Sequence, residues 1–340
     1  MIYGVTSVRS HEIFGDSFYY VKRQLFFIFL GVISGIFVLC LDYHYLQRYS
    51  KLVILLALVS LVMVLIPGIG HRIGGARRWF KLGIFNFQPS EFAKLAIIIY
   101  LADLLSRKGI RINLFWRGFA PAIIVIIAMV FLILVEPDLG TAMVIAWLGV
   151  ILLFVAGLRP AYFFSIIALA APVFYFLIAL KPYRLNRIIT FLDPWADRLG
   201  SGHQIIQSMI ALGSGGLWGI GLGHSLQKLY YLPAAHTDFI FSIIGEELGL
   251  MGTATVLVLF AIFFWIGLKI TLKVKDAFGR FLSTGLLSLI ALEVIIHIGV
   301  STASLPTKGL PLPFISYGGT SLLVNIIATA IMLNISKNGL

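Results

Sequence analysis

Apolar runs alternate with short polar punctuation along this chain, on the length scale of helices that cross a bilayer. Five windows carry no charge: Gln24 to Leu41, Leu52 to Gly70, Gly118 to Val135, Leu139 to Leu158 and Pro160 to Leu180. Roughly 18 or more such residues in a row are the mark of a spanning helix. Ser90 to Leu105, Asp238 to Leu268, Phe281 to Ala303 and Gly318 to Ser336 tolerate a few charges and predict four more. The pattern therefore predicts nine helices, with the two ends of the chain on opposite sides. Two long non-spanning segments fall on one side, Pro67 to Pro89 and Lys181 to Thr237. Glu136-Pro137-Asp138 and the proline- and glycine-rich stretch from Leu305 to Ser321 join them there. Eight glycines between Leu199 and Gly223 predict re-entrant or interfacial packing, because irregular backbone at membrane depth must be covered by protein or face a wet cavity.

Composition agrees with the pattern. Of 340 residues 60% are hydrophobic, with mean hydropathy +1.00, whereas soluble domains are about half apolar and about a quarter charged. The expected fold is an all-α polytopic membrane bundle forming a single domain over residues 1–340. Neither a repeat nor a soluble domain interrupts it. The one cysteine, Cys40, lies in an apolar run and reads as a small buried hydrophobe. Met1 to Gln24 lacks the apolar core of a signal peptide, so insertion is expected to rely on the helices themselves.

Net charge is +12, and its placement changes the picture. The short-loop side and the C-terminus carry twelve of the 26 basic residues, and the side with the long segments carries fourteen. Cytoplasmic loops normally hold the excess, so this bias does not orient the chain. An unusually basic outer face suits an anionic ligand.

Candidate chemistry gathers near that face. Asp238 reads as the opening residue of a helix. Its plain role is a first-turn acid favoured by the helix dipole; its sharper role is a base at the membrane rim beside His236. Helical spacing groups it with Ser242, Gly245 and Gly249. Glu246 and Glu247 lie about 12 Å deeper and read as interhelical partners beside the Gly245–Gly249 small-residue contact; Glu293 reads similarly. Glu91 and Lys94, three apart, are placed to pair across one turn. Arg77, Arg78 and Lys81 around Trp79 fit either a headgroup anchor or a diphosphate clamp. Lys308 stands alone in a proline-fixed loop. No phosphate-binding loop, zinc-protease motif, nucleophile elbow or spaced Cys and His set occurs, and nothing points to nucleic acid.

LPAAHTDFIFSIIGEELG, TKGLPLPFISYGGTSLL, EPDLGTA, GARRWFKLG and QPSEFAKLA together resemble the SEDS family (shape, elongation, division and sporulation) over essentially the whole chain. PTKGL before PLPFISYGG looks more like the division branch, FtsW, than the elongation branch, RodA. The resemblance implies a glycosyltransferase that polymerises lipid II into glycan strands by an inverting transfer and releases undecaprenyl pyrophosphate. It implies a bacterial inner-membrane enzyme with its site on the extracytoplasmic side. The loops at about 67–89, 181–237 and 304–317 would then lie outside. Expected partners are a class B penicillin-binding protein transpeptidase and divisome proteins. The family's essential acid falls on Asp238 and its Glu and Lys pair on Glu91 and Lys94. Arg77, Arg78, Trp79, Glu136, Asp138, His236, Thr237, Lys308, Ser316 and Tyr317 are the further candidates for substrate binding. A divalent cation, Mg or Mn, would assist the departing diphosphate, although no ligand pattern demands one. A lipid II flippase and an elongation-type polymerase are the alternatives. Two departures stand out. Ala234 replaces the usual Glu of the family's LPEAHTDF, and the family's first helix is expected to be missing, Met1 to Gln24 resembling its tail and the following loop.

Overall fold

The computed structural model describes residues 2–73, 75–83, 85–179, 182–198, 200–225, 227, 232 and 235–339. Ala234, and with it that departure from the family pattern, lies outside the described residues. The helices are α1 (Ile2–Phe14), α2 (Tyr19–Cys40), α3 (His44–Arg48), α4 (Ser50–Leu65), α5 (Pro89–Lys108), α6 (Ala120–Val135), α7 (Leu139–Val155), α8 (Pro160–Ala179), α9 (Pro182–Leu192), α10 (His203–Ser214), α11 (Ile240–Lys273), α12 (Ala277–Ser301) and α13 (Gly319–Asn338). Each apolar window of the sequence holds a helix over most of its length. Among the described residues four helices, α2, α11, α12 and α13, are long and apolar enough to cross a membrane, and α4, α6 and α7 are shorter apolar helices.

The chain divides into two compact units. One comprises residues 26–163, 264–292 and 319–340. Here α5 is buried nearly all round, from Ala93 through Ile97, Ile98 and Leu101 to Leu105, as befits a helix at the centre of a bundle. α4 buries the stripe Ser50, Ile54, Ala57, Leu61 and Val64 and leaves Leu52, Leu55, Leu56 and Val59 outward, where lipid would cover them. Gly149 lets α7 approach α6 closely, since a Cβ there would meet Ile126 at 2.5 Å. Asp103, inside α5, is satisfied by Ser50 Oγ and Arg107 Nε, each at 2.6 Å.

The Pro67–Pro89 segment forms strands, for which the apolar pattern had given no cue. β1 (His71–Ile73), β2 (Ala76–Leu82) and β3 (Phe85–Phe87) make a small antiparallel sheet in the order β1-β2-β3. Arg72 pairs with Arg77 but His71 pairs with Trp79, so Arg78 is the extra residue of a bulge, a device that re-aims one side chain. Cys40 is exposed rather than buried: the end of α2 is held by Asn334 Nδ2, which donates to Val38 O at 2.8 Å and Leu39 O at 3.3 Å, and the Cys40 side chain lies on an uncovered face.

The other unit comprises residues 1–25, 164–263 and 293–318. α11 is not continuous within it. Gly249 sits at φ 65°, ψ −161°, a conformation open essentially to glycine alone. The backbone groups released by the break are taken up by the glycine-rich segment, as buried polar groups at membrane depth require. Leu250 N donates to Gly216 O at 2.9 Å and Met251 N to Leu217 O at 3.2 Å; in return Ile220 N donates to Glu246 O at 3.0 Å and Gly221 N to Glu247 O at 3.1 Å. The approach is so close that a Cβ on Gly215 would lie 1.8 Å from Gly245 O, and one on Gly219 2.2 Å from Glu247 O. Gly249 is thus small for a backbone contact, whereas Gly245 is small for a helix contact, as its sequence pattern suggests: a Cβ there would meet Leu212 of α10 at 2.5 Å. Glu246 accepts a short hydrogen bond from Ser225 Oγ and a long one from Gln227 N at 3.5 Å. Both Glu246 and Glu247 are buried, in keeping with the structural role expected of them.

Candidate functional site

Asp238 does not open the helix. α11 starts at Ile240, and Asp238 lies in the turn before it, so the expected stripe with Ser242, Gly245 and Gly249 does not include it. Ser242 instead bonds Ser208 Oγ at 2.6 Å, and Ser208 Oγ also donates to Ser301 O at 2.7 Å. This tie fixes the start of α11 against α10 and α12, and Asp238 projects from a rigid base.

Around Asp238 the loop after α12 closes. Ser316 Oγ donates to Thr237 O at 2.6 Å and accepts from Leu312 N at 2.8 Å. Tyr317 N donates to His236 O at 2.9 Å. The rings of Tyr20, His236 and Tyr317 meet at centroid distances of 5.0 to 5.9 Å. Gly309 brings bare backbone to the acid: a Cβ there would lie 3.0 Å from Asp238 Oδ2. Lys308, next in the chain, is half-buried. Arg187 of α9, which the sequence reading had counted only as one of the outer basic residues, donates to Thr307 O at 3.3 Å.

Burial governs the charges here. It pushes the Asp238 carboxyl up to about 6, against the opposing pull of the Thr237 hydrogen bond and the Arg187 charge. It pushes Lys308 down to about 8, with Arg187 acting in the same direction. A carboxylate poised near neutral pH is suited to accepting a proton, and the adjoining cations are suited to an anion. Of the predicted candidates, His236, Thr237, Asp238, Lys308, Ser316 and Tyr317 are therefore brought together.

The remaining candidates belong to the other unit. Re-aimed by its bulge, Arg78 donates from Nε to Glu136 O at 2.8 Å and from Nη2 to Pro137 O at 2.5 Å. Its Nη1 stands 3.9 Å from Asp138 Oδ2. Asp138 caps α7, accepting from Thr141 N at 3.1 Å and Thr141 Oγ1 at 3.0 Å. Arg78 thus pins the α6–α7 turn first of all, while a guanidinium's five donors leave some for another acceptor. Glu136 is fully buried, and neither of its carboxyl oxygens has a hydrogen-bond partner among the described residues. Burial, then the Asp138 charge, push its carboxyl up to about 8 against the pull of Arg78. Arg77 and Trp79 are half-buried on β2. Glu91 and Lys94 form the expected pair, 2.9 Å apart and buried.

Among the described residues no group of three or more His, Cys, Asp or Glu gathers that could hold a metal ion.

The profile of the "Cell cycle protein" family FtsW/RodA/SpoVE matches residues 1–339. The chain is 44% identical to "Stage V sporulation protein E" of Bacillus subtilis over 337 residues, covering 99% of this chain and 92% of that protein. It is 42% identical to "Probable peptidoglycan glycosyltransferase FtsW" of Geobacter metallireducens over 336 residues, covering 99% and 90%. A chain from the structure "Structural coordination of polymerization and crosslinking by a peptidoglycan synthase complex" superposes with TM-score 0.81 at 30% identity, covering 99% of this chain and 95% of that one. The rod shape determining protein RodA of Thermus thermophilus superposes with TM-score 0.71 at 26% identity, covering 99% and 94%.

Proposed function

The chain belongs to the FtsW/RodA/SpoVE family, and from that premise we propose that it is a peptidoglycan glycosyltransferase of the division branch, with Asp238 as its base. Relatives named as peptidoglycan glycosyltransferases, at about 42% identity over nearly their whole length, support the activity. The observation that carries the site is the half-buried carboxyl of Asp238, held up to about 6 by burial against the bare backbone of Gly309, the residue after Lys308.

In the proposed reaction lipid II is both donor and acceptor. Asp238 takes the proton of the acceptor hydroxyl as its oxygen attacks the donor's anomeric carbon. The bond from that carbon to the diphosphate breaks, the centre inverts, and the lipid diphosphate leaves. Lys308 stabilises the departing charge, an effect that is usually large in such a site. Any Mg or Mn would come with the diphosphate oxygens as ligands and would further neutralise them. The Glu91–Lys94 pair and the Arg78-pinned turn are proposed as separate anion-recognition elements of their own unit. We place the enzyme in the bacterial inner membrane with Asp238 on the extracytoplasmic side, working with a class B penicillin-binding protein and other division proteins. The crosslinking partner is supported by the synthase complex to which the chain is structurally similar.

The broken α11, with Glu246 and Glu247 buried beside the break, favours a second reading as a lipid II flippase, since transporters build sites on discontinuous helices. One experiment separates the two. Detergent-purified protein with its transpeptidase partner is given lipid II, and glycan polymer is compared between wild type and Asp238→Asn. The expected result is a rate loss of about 10²- to 10⁴-fold, the usual contribution of a general base. Equal polymer from both proteins refutes the base. Polymer from neither, with lipid II flipped across vesicles by both, favours transport.

A further inference from the structure

α9 reads PYRLNRIITFL and is amphipathic: Arg184 and Thr190 are buried, while Leu185, Ile189 and Leu192 are exposed. That packing fixes the helix, and Arg187 is carried on it with its side chain exposed. One of its donors goes to Thr307 O at 3.3 Å, the residue before Lys308. A guanidinium has five donors in a fixed fork that matches phosphate oxygens. Arg187 and Lys308 are thus two cations tied to one short stretch of loop, and Asp238 lies against the next residue of that loop, where a Cβ on Gly309 would be 3.0 Å from its Oδ2. Like charges held together disfavour one another, and an incoming anion with several negative oxygens relieves that repulsion where a single carboxylate, needed as a base, does not.

We infer that Arg187 is a further substrate-binding residue of this site, a second cation that with Lys308 receives the diphosphate of a polyprenyl-linked donor. The inference rests on the glycosyltransferase reading and adds to it a residue that lies outside the five sequence motifs on which the resemblance stands. It also gives Arg187 an electrostatic part in the reaction. Among the described residues, the charged or titratable groups set around this site are Arg187 on α9, Lys308 on the loop, His236 on the turn of Asp238 itself, and Tyr317 with Arg23, Tyr20 and Tyr19 near it; burial pushes the Tyr317 hydroxyl up to about 12. The Arg187 charge lowers both Asp238 and Lys308. Activity that needs Asp238 ionised and Lys308 protonated rises with pH through about 6 and falls through about 8. Removing one positive charge raises both groups, so both limbs move to higher pH together.

The test is polymerisation of lipid II by the full chain with its partner, measured as KM and as rate against pH for wild type, Arg187→Gln and Arg187→Lys. His236→Gln shows whether either limb belongs to that histidine, and Arg198→Gln, whose guanidinium lies over Trp195 at 5.2 Å, serves as an unaffected basic control. Arg187→Gln is expected to raise KM roughly tenfold, the worth of one charge-assisted hydrogen bond, and to shift both limbs alkaline; Arg187→Lys keeps the limbs in place. An unchanged KM, or a lower rate with KM and both limbs unmoved, overturns the inference and leaves Arg187 a structural tie to Thr307. Asp238→Asn in the same assay keeps the two readings apart: if it polymerises normally the base is wrong, while the KM of Arg187→Gln still reports on the diphosphate.

Discussion

Replacing Gly249 by alanine tests whether the broken α11 is as tightly specified as its geometry says. The residue occupies φ 65°, ψ −161°, where any side chain costs about 1–3 kcal/mol. The new Cβ would also stand 2.4 Å from Gly219 N and 2.6 Å from Leu217 O, so one backbone must move by an appreciable fraction of an ångström. The four hydrogen bonds across the contact, at 2.9 to 3.2 Å, have little room to stretch. Losing two of them, at about 0.5–1.5 kcal/mol each, brings the expected cost to about 2–6 kcal/mol. Two other glycines calibrate it. Gly216 has φ 53° with open space at its Cβ position, so alanine there adds strain alone, about 1–2 kcal/mol. Gly213 has open space and no positive φ inside α10, so alanine there is neutral or stabilises by up to about 1 kcal/mol. Thermal or SDS unfolding of the detergent-purified variants, followed by tryptophan fluorescence, should rank them Gly213→Ala, Gly216→Ala, Gly249→Ala in falling stability. Gly249→Ala as stable as Gly213→Ala would refute the reasoning.

Two further outcomes follow from buried charge. Glu136, pushed up from 4.5 to about 8, holds a proton in the folded protein that the unfolded chain releases, so folding stability falls as pH rises through that window. Glu136→Gln should remove this slope and be more stable at pH 8 by about 1–3 kcal/mol, and unfolding curves parallel to wild type between pH 5 and 8 would contradict it. In the Glu91–Lys94 pair, Lys94→Met strands a buried carboxylate and should cost about 3–5 kcal/mol. The double variant Glu91→Gln/Lys94→Met should cost less, and a double-mutant cycle on unfolding midpoints that finds the two changes additive rejects the coupling.

The site was legible wherever chemistry sits in a short local pattern. Glu91 and Lys94 share a helix face at spacing three, and the turn-to-turn distance brings them together without help from the rest of the chain. Asp238 and Lys308 carried their signal as isolated charges in apolar or proline-rich surroundings, where a charge needs a reason. What the sequence hid depends on pairing. Arg78 looked like one of three interchangeable cations around Trp79, and only the register of β1 against β2 singles it out as the bulged residue aimed at the α6–α7 turn. Gly249 read as a small residue in a continuous helix, because the hydrophobic run does not pause there; the break becomes visible only with the segment that supplies its hydrogen bonds. Arg187 had a local signal, the amphipathic repeat of α9, but its relevance comes from Thr307, 120 residues on. Cys40 was misjudged because an apolar neighbourhood in sequence says nothing of which face of α2 is covered.

The setting of Asp238 also has an order in time. Its turn is latched through main-chain oxygens of His236 and Thr237, and the groups that latch them, Tyr317 N and Ser316 Oγ, come from the far side of α12, 79 residues later in the Ser316 case. During synthesis the acid emerges and its helix inserts long before the loop that holds it exists. A ribosome must therefore complete α12 and the loop beyond it before the carboxylate acquires its environment, so a nascent or truncated chain ending short of Ser316 would carry the acid while lacking its clasp. The environment of the acid in this sense waits on a stretch of polypeptide made well after it, 79 residues beyond Thr237 in the Ser316 case.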